Sequence, residues 1–125
     1  SAASSSAFSY GLVRYGGSFG NSAMIVDTAS VNISNSTIEN NNFRGLRLSN
    51  ATSTISNVVF KDHQVGGPEA TGLYLESGSR AVISNSTFQN NKIGVNSQGL
   101  SVVSNGGGNT FSGNTTNTIP AGLLP

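Results

Sequence analysis

The sequence predicts an all-β fold in which short strands stack in successive coils. Three observations predict it: a short phrase returns several times along the chain, apolar and polar residues alternate within each copy, and Gly or Asn interrupts the alternating runs. Alternation with a period of two is typical of strands, and interruption by Gly and Asn is typical of turns. A repeat this small cannot bury its apolar side alone, so the copies must stack on one another.

The copies follow one another in a regular order. The repeated phrase reads VNISNSTIENN from residue 31, STISNVVFKDH from residue 53, AVISNSTFQNN from residue 81 and, loosely, SVVSNGGGNTFSGN from residue 101. A second phrase reads GLRL from residue 45, GLYL from residue 72 and GVNS from residue 94. Each period holds three short alternating runs, which predicts three short strands per coil. The predicted fold is therefore an all-β parallel β-helix, a solenoid of about four to five coils in one domain that spans residues 1–125.

Stacking of the coils predicts columns of like side chains, because each residue lies about 4.8 Å from its counterpart in the next coil. Isoleucine and phenylalanine columns would fill a narrow interior. An asparagine column suits a corner between two strands, since Asn tolerates the left-handed backbone conformation and its amides can bond from coil to coil. The predicted columns are Asn35, Asn57 and Asn85; Ile33, Ile55 and Ile83; and Ile38, Phe60, Phe88 and Phe111.

A second, looser corner is marked by the polar residues that end each copy. These residues are Asn40, Asn41, Asp62, Asn90, Asn91 and Asn114. The length of this corner varies, because Gly45 follows Asn40 by five residues whereas Gly72 follows Asp62 by ten. The longer connection, DHQVGGPEATG, is an insertion on one side of the solenoid, and such a side often carries binding residues.

Composition excludes several classes of function. Only 9% of the 125 residues are charged and the net charge is +1, so the chain has no basic surface for nucleic acid. Cysteine is absent, which rules out disulfides and thiolate metal sites. The sequence has no apolar run long enough to cross a bilayer. We therefore expect no nucleic-acid partner and no membrane span.

The phrases FSYGLVRYGG, VNISNSTIENN and GLRLSN resemble the right-handed parallel β-helix repeats of the pectin-lyase-like superfold. They look most like the modules of large secreted or surface-anchored bacterial proteins, and the resemblance extends over about residues 8–119. It implies a right-handed coil and an extracellular or cell-surface location. It does not select an activity, because this superfold contains lyases, hydrolases, epimerases, phage tailspikes and non-catalytic adhesins.

The enzymes of this superfold act on the outer face of the strand that here begins with GLRL, using clustered carboxylates or calcium-binding carboxylates with a basic residue. The outward column on that strand is expected to contain Ile25, Arg47, Tyr74 and Asn96, none of which is an acid. Cleavage of a glycosidic bond usually requires a pair of carboxyl groups, and calcium requires several oxygen ligands. We therefore expect no catalytic residue, no metal site and no cofactor.

One cluster of ionisable residues lies in and beside the insertion, at Asp62, His63 and Glu69. In the first interpretation these residues contact a metal, a sugar or a partner, and Arg47 and Tyr74 on the outward column add to a glycan surface. In the second interpretation the cluster is a solvated loop whose charges maintain solubility, since one His with scattered carboxylates lacks the spacing of a metal site.

Both ends of the repeat array look uncapped, because the chain starts in a strand-like phrase and finishes on TNTIPAGLLP. Solenoids need polar caps at free ends, so we expect self-association through the end coils or continuation in a longer solenoid. Head-to-tail association of identical chains would give an open filament. The sequence thus predicts an extracellular structural or adhesive module. The alternative is a carbohydrate-binding or polysaccharide-cleaving β-helix fragment.

Overall fold

The computed structural model describes residues 5–17, 21–65 and 67–124. Within these ranges the chain forms strands and no helix, as the sequence predicts. The strands are β1 (Ser5–Ser9), β2 (Leu12–Arg14), β3 (Ser22–Asp27), β4 (Ser30–Glu39), β5 (Arg44–Ser49), β6 (Thr52–Lys61), β7 (Thr71–Glu76), β8 (Arg80–Ser84), β9 (Thr87–Gln89), β10 (Ile93–Ser97), β11 (Val102–Gly107), β12 (Thr110–Ser112) and β13 (Thr116–Ile119).

The strands form two sheets, and every pairing between strands is parallel. The first sheet follows the path β1–β4–β6–β8–β11 and also contains β2, β9 and β12, whereas the second sheet has the order β3–β5–β7–β10–β13. The chain visits both sheets in each of five coils: coil 1 is β1 to β3, coil 2 is β4 and β5, coil 3 is β6 and β7, coil 4 is β8 to β10, and coil 5 is β11 to β13. This arrangement confirms the predicted parallel β-helix.

The first corner lies at the asparagine column, and in two coils it does not interrupt the strand. β4 and β6 are each 10 residues long. The chain turns inside them at Asn35 and Asn57, with φ angles of 50° and 53°, while the pairing continues on both sides. In coil 4 the turn at Asn85, with φ of 48°, separates β8 from β9. Two of the three predicted strands are therefore one bent strand in coils 2 and 3.

The interior is filled by apolar columns in register. Ile33, Ile55 and Ile83 are paired directly across β4, β6 and β8, and all three are fully buried. Phe60 stacks on Phe88 with ring centroids 4.9 Å apart, and Phe111 continues the stack at 5.0 Å. Ile38 extends the same column into coil 2, where it is paired with Phe60. Leucines of the second sheet close the interior from the other side at Leu46, Leu48, Leu73 and Leu75.

The two ends of the described solenoid differ in how much apolar surface they expose. After β13 the chain turns, and Leu124 packs into the core with 5% of its surface exposed, while Leu123 packs against the same core. The chain can make this return because Gly122 adopts a left-handed conformation with φ of 80°. Coil 1, in contrast, exposes 84% of Tyr10 and 73% of Tyr15.

Candidate functional site

The outward column of the second sheet is assembled in register. Ile25, Arg47, Tyr74 and Asn96 are paired across β3, β5, β7 and β10. Arg47 is already engaged, because its Nε donates to Oε1 of Glu76 at 3.1 Å and its Nη2 forms an ion pair with the same carboxylate. Arg47, which the sequence predicts as a ligand contact, therefore joins coil 2 to coil 3 through its ion pair with Glu76.

The ring of Tyr74 is covered on one face by a guanidinium group. The Cζ atom of Arg44 lies 3.7 Å from the centre of the Tyr74 ring and 4.7 Å from the centre of the Phe43 ring. A cation placed over an aromatic face at this distance is attracted by the ring. Arg47 and Tyr74, both predicted as ligand contacts, thus have partners within the protein.

The carboxylates of the outer faces are separated or paired. Nζ of Lys61 forms an ion pair with Oε2 of Glu39 at 3.3 Å, and this pair joins coil 2 to coil 3 on the first sheet. Asp27 and Glu76 share one column of the second sheet, with Ser49 between them. Within the described ranges there is no group of three or more His, Cys, Asp or Glu side chains that could hold a metal ion. Among the described residues, Glu39 and Glu76 are thus each bound by a basic side chain of a neighbouring coil.

His63 lies in the interior and is fully buried. It is therefore neither an exposed contact for a metal, sugar or partner nor a solvated loop residue, as the two interpretations of the sequence had it. The second corner continues through every coil, and its inward position is occupied in coils 1 to 5 by Gly16, Asn41, His63, Asn91 and Asn114. We call these five residues the corner ladder. The signal was present in the sequence, because the ends of the repeated phrases, ENN, KDH and QNN, place His63 where the other copies have Asn.

Below His63, the amide of Asn91 is held in one orientation. Its Nδ2 donates to the backbone oxygen of Phe60 at 3.0 Å and to Oδ1 of Asn114 at 3.1 Å. Its Oδ1 therefore faces His63 and lies 2.7 Å from the ring Nδ1. Because an amide oxygen can only accept, the His63 ring carries its proton on Nδ1.

Above His63, the amide of Asn41 is held by coil 1. Its Oδ1 accepts from the backbone N–H of Gly16 at 3.0 Å, and its Nδ2 donates to the backbone oxygen of Val13 at 3.3 Å. The same Nδ2 lies 3.2 Å from Nε2 of His63. In the neutral ring with the proton on Nδ1, Nε2 is an acceptor, so both ring nitrogens are satisfied.

The charge state of His63 follows from its surroundings. Burial lowers the pKa of the ring from its ordinary value of 6.5, because the charged form would lose its hydration. The hydrogen bond to Asn91 and the carboxylates of Asp62 and Glu39 act in the opposite direction but do not outweigh the burial. His63 is therefore a neutral member of the corner ladder at pH 7.

Asp62 contributes to a pocket of about 370 Å³ on the outside of the second corner, which is lined by Tyr15, Gly17, Asn40, Asn41, Asn42, Asp62 and Val65. The side chains of Asn40 and Asn42 are exposed. The exposed ring of Tyr15 and the exposed side chain of Val65 add apolar surface. The pocket thus combines exposed polar side chains with apolar walls.

The residues predicted as contacts do not form one site. Arg47 and Tyr74 lie on the second sheet, Asp62 lines the corner pocket, and His63 is interior. Glu69 is exposed in the insertion, where its backbone oxygen accepts from Oγ1 of Thr71 at 2.7 Å. Sequence reasoning did not single out Tyr15, Asn40 and Asn42 as a group, because their proximity depends on the stacking of coil 1 on coil 2.

Comparison with known proteins supports the fold. A family model described as a right handed beta helix region matches residues 5–116. No curated protein and no solved structure matches the chain significantly. In the part of the chain that the structure describes, no helix is long and apolar enough to cross a membrane. Because the family match covers most of the chain and the strands stack in parallel coils, the chain belongs to the right-handed β-helix family.

Proposed function

We propose that this chain is a structural module of an extracellular or cell-surface protein, in which it supplies a rigid segment of solenoid and no catalytic site. The observation that carries the proposal is that charged side chains of the outer faces are paired with one another between coils. The two ion pairs, Arg47 with Glu76 and Lys61 with Glu39, each join neighbouring coils. These charged groups therefore bind neighbouring coils to each other, whereas in an enzyme such groups would contact a substrate.

The carboxylates also argue against glycoside cleavage. That reaction requires one carboxyl group to act as an acid and a second to act as a base or nucleophile. Asp27 and Glu76 lie in one column of the second sheet, with Ser49 between them, and the carboxylate of Glu76 is bound by the guanidinium of Arg47. The extracellular location rests on the likeness of the repeats to modules of secreted and surface-anchored proteins.

Coil 1 is the better junction for a further coil or for another chain. Among the described residues the strands of both end coils pair on one side only, and unpaired strand edges promote association. Coil 1 in addition exposes the rings of Tyr10 and Tyr15. Coil 5 is less suited, because β11 contains an irregularity between Asn105 and Gly107 and Leu124 covers the core beyond β13. This asymmetry favours a module joined through coil 1 over a head-to-tail filament of identical chains.

Sedimentation velocity over a range of protein concentrations tests the junction. Leu12 lies on β2 and is 51% exposed, so Leu12→Lys places a charge on the open edge. We expect the wild-type sedimentation coefficient to rise with concentration and the rise to be lost in Leu12→Lys. Leu100→Lys, at a residue that is 89% exposed in the connection between β10 and β11, is the matched control and should behave as wild type. A wild-type protein that stays monomeric throughout would contradict self-association.

Incubation with pectic, alginate and neutral polysaccharides, with and without calcium, tests the absence of catalysis. We expect no release of reducing ends. The double variant Asp27→Asn/Glu76→Gln removes the two acids of the column that contains Ser49 and serves as the blank. Product release by the wild type that this variant abolishes would overturn the structural proposal and favour a polysaccharide-cleaving module.

The corner pocket favours a second candidate function, the binding of a glycan without cleavage. Sugar hydroxyls both donate and accept hydrogen bonds, as do the exposed side-chain amides of Asn40 and Asn42, and aromatic rings contact the apolar faces of sugars. A volume of about 370 Å³ lies within the range of small-molecule pockets. The predicted surface around Arg47 and Tyr74 is less suited, because both side chains already have partners.

Titration with neutral and acidic oligosaccharides, followed by amide chemical shifts, tests this second function. We expect shifts confined to the pocket residues and an affinity about tenfold weaker in Asn42→Ala, because one or two hydrogen bonds are lost. Ser104→Ala, on the exposed face of β11, is the control and should bind as wild type. Saturable shifts around Tyr74 instead would place the site on the second sheet.

A further inference from the structure

The corner ladder contains one member that can change its charge near neutral pH. Asn41, Asn91 and Asn114 are amides, whereas His63 is a ring whose unperturbed form titrates in this range. We propose that protonation of His63 releases the corner of coil 1 from coil 2, so that mild acid opens the N-terminal end of the described solenoid. This proposal does not depend on the function proposed above.

The first step is a conflict between donors. Nε2 of neutral His63 accepts from Nδ2 of Asn41, at 3.2 Å. A proton on Nε2 turns the ring nitrogen into a donor that points at another donor. Both residues are buried, with Asn41 1% exposed and His63 0% exposed. A buried donor without an acceptor is costly, so the pair must rearrange or separate.

The second step transmits the conflict to coil 1. Rotating the Asn41 amide would turn its oxygen towards His63 and satisfy the new donor. The same rotation would turn the amide nitrogen towards the Gly16 N–H and the amide oxygen towards the Val13 carbonyl. Both bonds to coil 1, at 3.0 Å and 3.3 Å, would be lost. Asn41 can therefore bond to charged His63 or to coil 1, but not to both.

The coils on the other side of His63 are not affected in this way. Nδ1 of the ring already donates to Oδ1 of Asn91, and it remains a donor when the ring is charged. Coil 1 is also the weaker neighbour. β2 has only three residues, Leu12–Arg14, and pairs only with β4. Protonation is therefore expected to open coil 1 before coils 4 and 5.

Charged groups around the ring set the pH at which this happens. The carboxylate of Asp62 adjoins the ring in sequence, and that of Glu39 acts on it from β4, where Lys61 neutralises it in part through an ion pair at 3.3 Å. Lys92, on the next coil, donates its backbone N–H to the His63 carbonyl at 3.0 Å. Desolvation outweighs both carboxylates, so the pKa lies below the ordinary value of 6.5 and the opening occurs on the acid side of it.

Amide hydrogen exchange of the full chain between pH 7.5 and 5, corrected for intrinsic exchange, tests the proposal. The reporting amides are Gly16, whose N–H donates to Asn41, and Tyr15, whose N–H donates to the Asn40 carbonyl. We expect their protection to fall with pH by up to about tenfold per pH unit, the slope for uptake of one proton. In His63→Asn, which gives the ladder an amide in every coil from 2 to 5, their protection should not depend on pH.

A second measurement keeps the test decisive if His63→Asn does not fold. The ring ¹⁵N shifts of wild-type His63 report the tautomer at neutral pH and the pH of protonation. We expect a proton on Nδ1 at neutral pH, and ring titration that coincides with the loss of protection at Gly16. Protection at Gly16 that is independent of ring titration would overturn the proposal. Equal loss in the amides of coils 4 and 5 would also overturn it, because it would indicate global unfolding.

Discussion

Asn57 combines two properties that a tight corner in a stacked sheet requires. Its backbone adopts φ of 53°, a left-handed conformation that costs most residues energy, and its Nδ2 donates to Oδ1 of Asn35 in the previous coil at 2.7 Å. The backbone conformation is required by the turn, and the side-chain hydrogen bond stabilises the stacking of the two coils. The two contributions can be separated, because glycine accepts the backbone conformation but has no amide.

Replacement of Asn57 therefore has a graded effect. Asn57→Ala loses both the amide and the tolerance for positive φ, and we expect it to lower the free energy of unfolding by about 1–2 kcal/mol. Asn57→Gly keeps the turn and should cost about half as much, since this exposed hydrogen bond is worth less than a buried one. Urea midpoints measure both values. Equal midpoints for the two variants would mean that the backbone conformation contributes nothing.

Stability should depend on pH through His63. The pKa of the folded state is lower than the 6.5 of the unfolded chain, so the unfolded chain binds the proton more readily and stability rises with pH. The full contribution is present above pH 6.5 and is lost as the pH falls towards the folded pKa, at up to about 1.4 kcal/mol per pH unit. Urea unfolding at pH 7.5 and 5.5 should show the loss in wild type and a smaller loss in His63→Asn. A loss of the same size in both would assign the effect to other groups.

His63 also shows where residue-scale prediction from sequence fails. Its type, its acidic neighbour and the longer connection that follows it all indicate a loop residue. Its position in the repeated phrase indicates the opposite, because the matching residues are Asn41 and Asn91. The repeat is the stronger signal, since in a solenoid the register fixes whether a side chain faces inward and the residue type only adapts to it.

At the scale of the strands, the aromatic column ties coils 3, 4 and 5 together. Phe88 is fully buried between Phe60 and Phe111, at ring distances of 4.9 Å and 5.0 Å. Phe111 has a ring neighbour on one side only and is partly exposed. We expect Phe88→Ala to cost about 3–5 kcal/mol, and Phe111→Ala to cost clearly less. Calorimetric melting compares the two, and equal costs would show that the stack is not the source of the difference.

The strands could be predicted from the repeats, but their boundaries could not. Alternation identifies runs that face inward and outward, yet it cannot show that the chain keeps its pairing while turning at Asn35 and Asn57, which makes one strand of two predicted ones. The sequence also does not show why the GLRL, GLYL and GVNS phrases each begin with glycine. A Cβ on Gly94 would lie 2.6 Å from the backbone oxygen of Asn117, so the close approach of the next coil requires glycine.

At the scale of the whole molecule, the two ends have different surfaces. Coil 1 exposes the aromatic side chains of Tyr10 and Tyr15, whereas the chain that follows β13 returns and packs Leu124 into the core. Sequence patterns gave no warning of this return, because AGLLP has neither the alternation of a strand nor the periodicity of a helix. The role of this segment is visible only in the structure, where Leu123 and Leu124 pack against the core.

Removal of residues 120–125 should therefore change both stability and association. Leu124 is 5% exposed and contributes to the core, so its loss should lower the free energy of unfolding by about 1.5–3 kcal/mol. The strands of coil 5 would then lie beside an uncovered apolar end, and we expect the truncated chain to associate at lower concentration than wild type in sedimentation velocity. Leu124→Ser should reproduce most of the destabilisation, whereas Leu100→Ser, at a residue that is 89% exposed, should not. If the truncated chain keeps wild-type stability and sedimentation, the segment is not a cap, and coil 5 is then as available for end-to-end contact as coil 1.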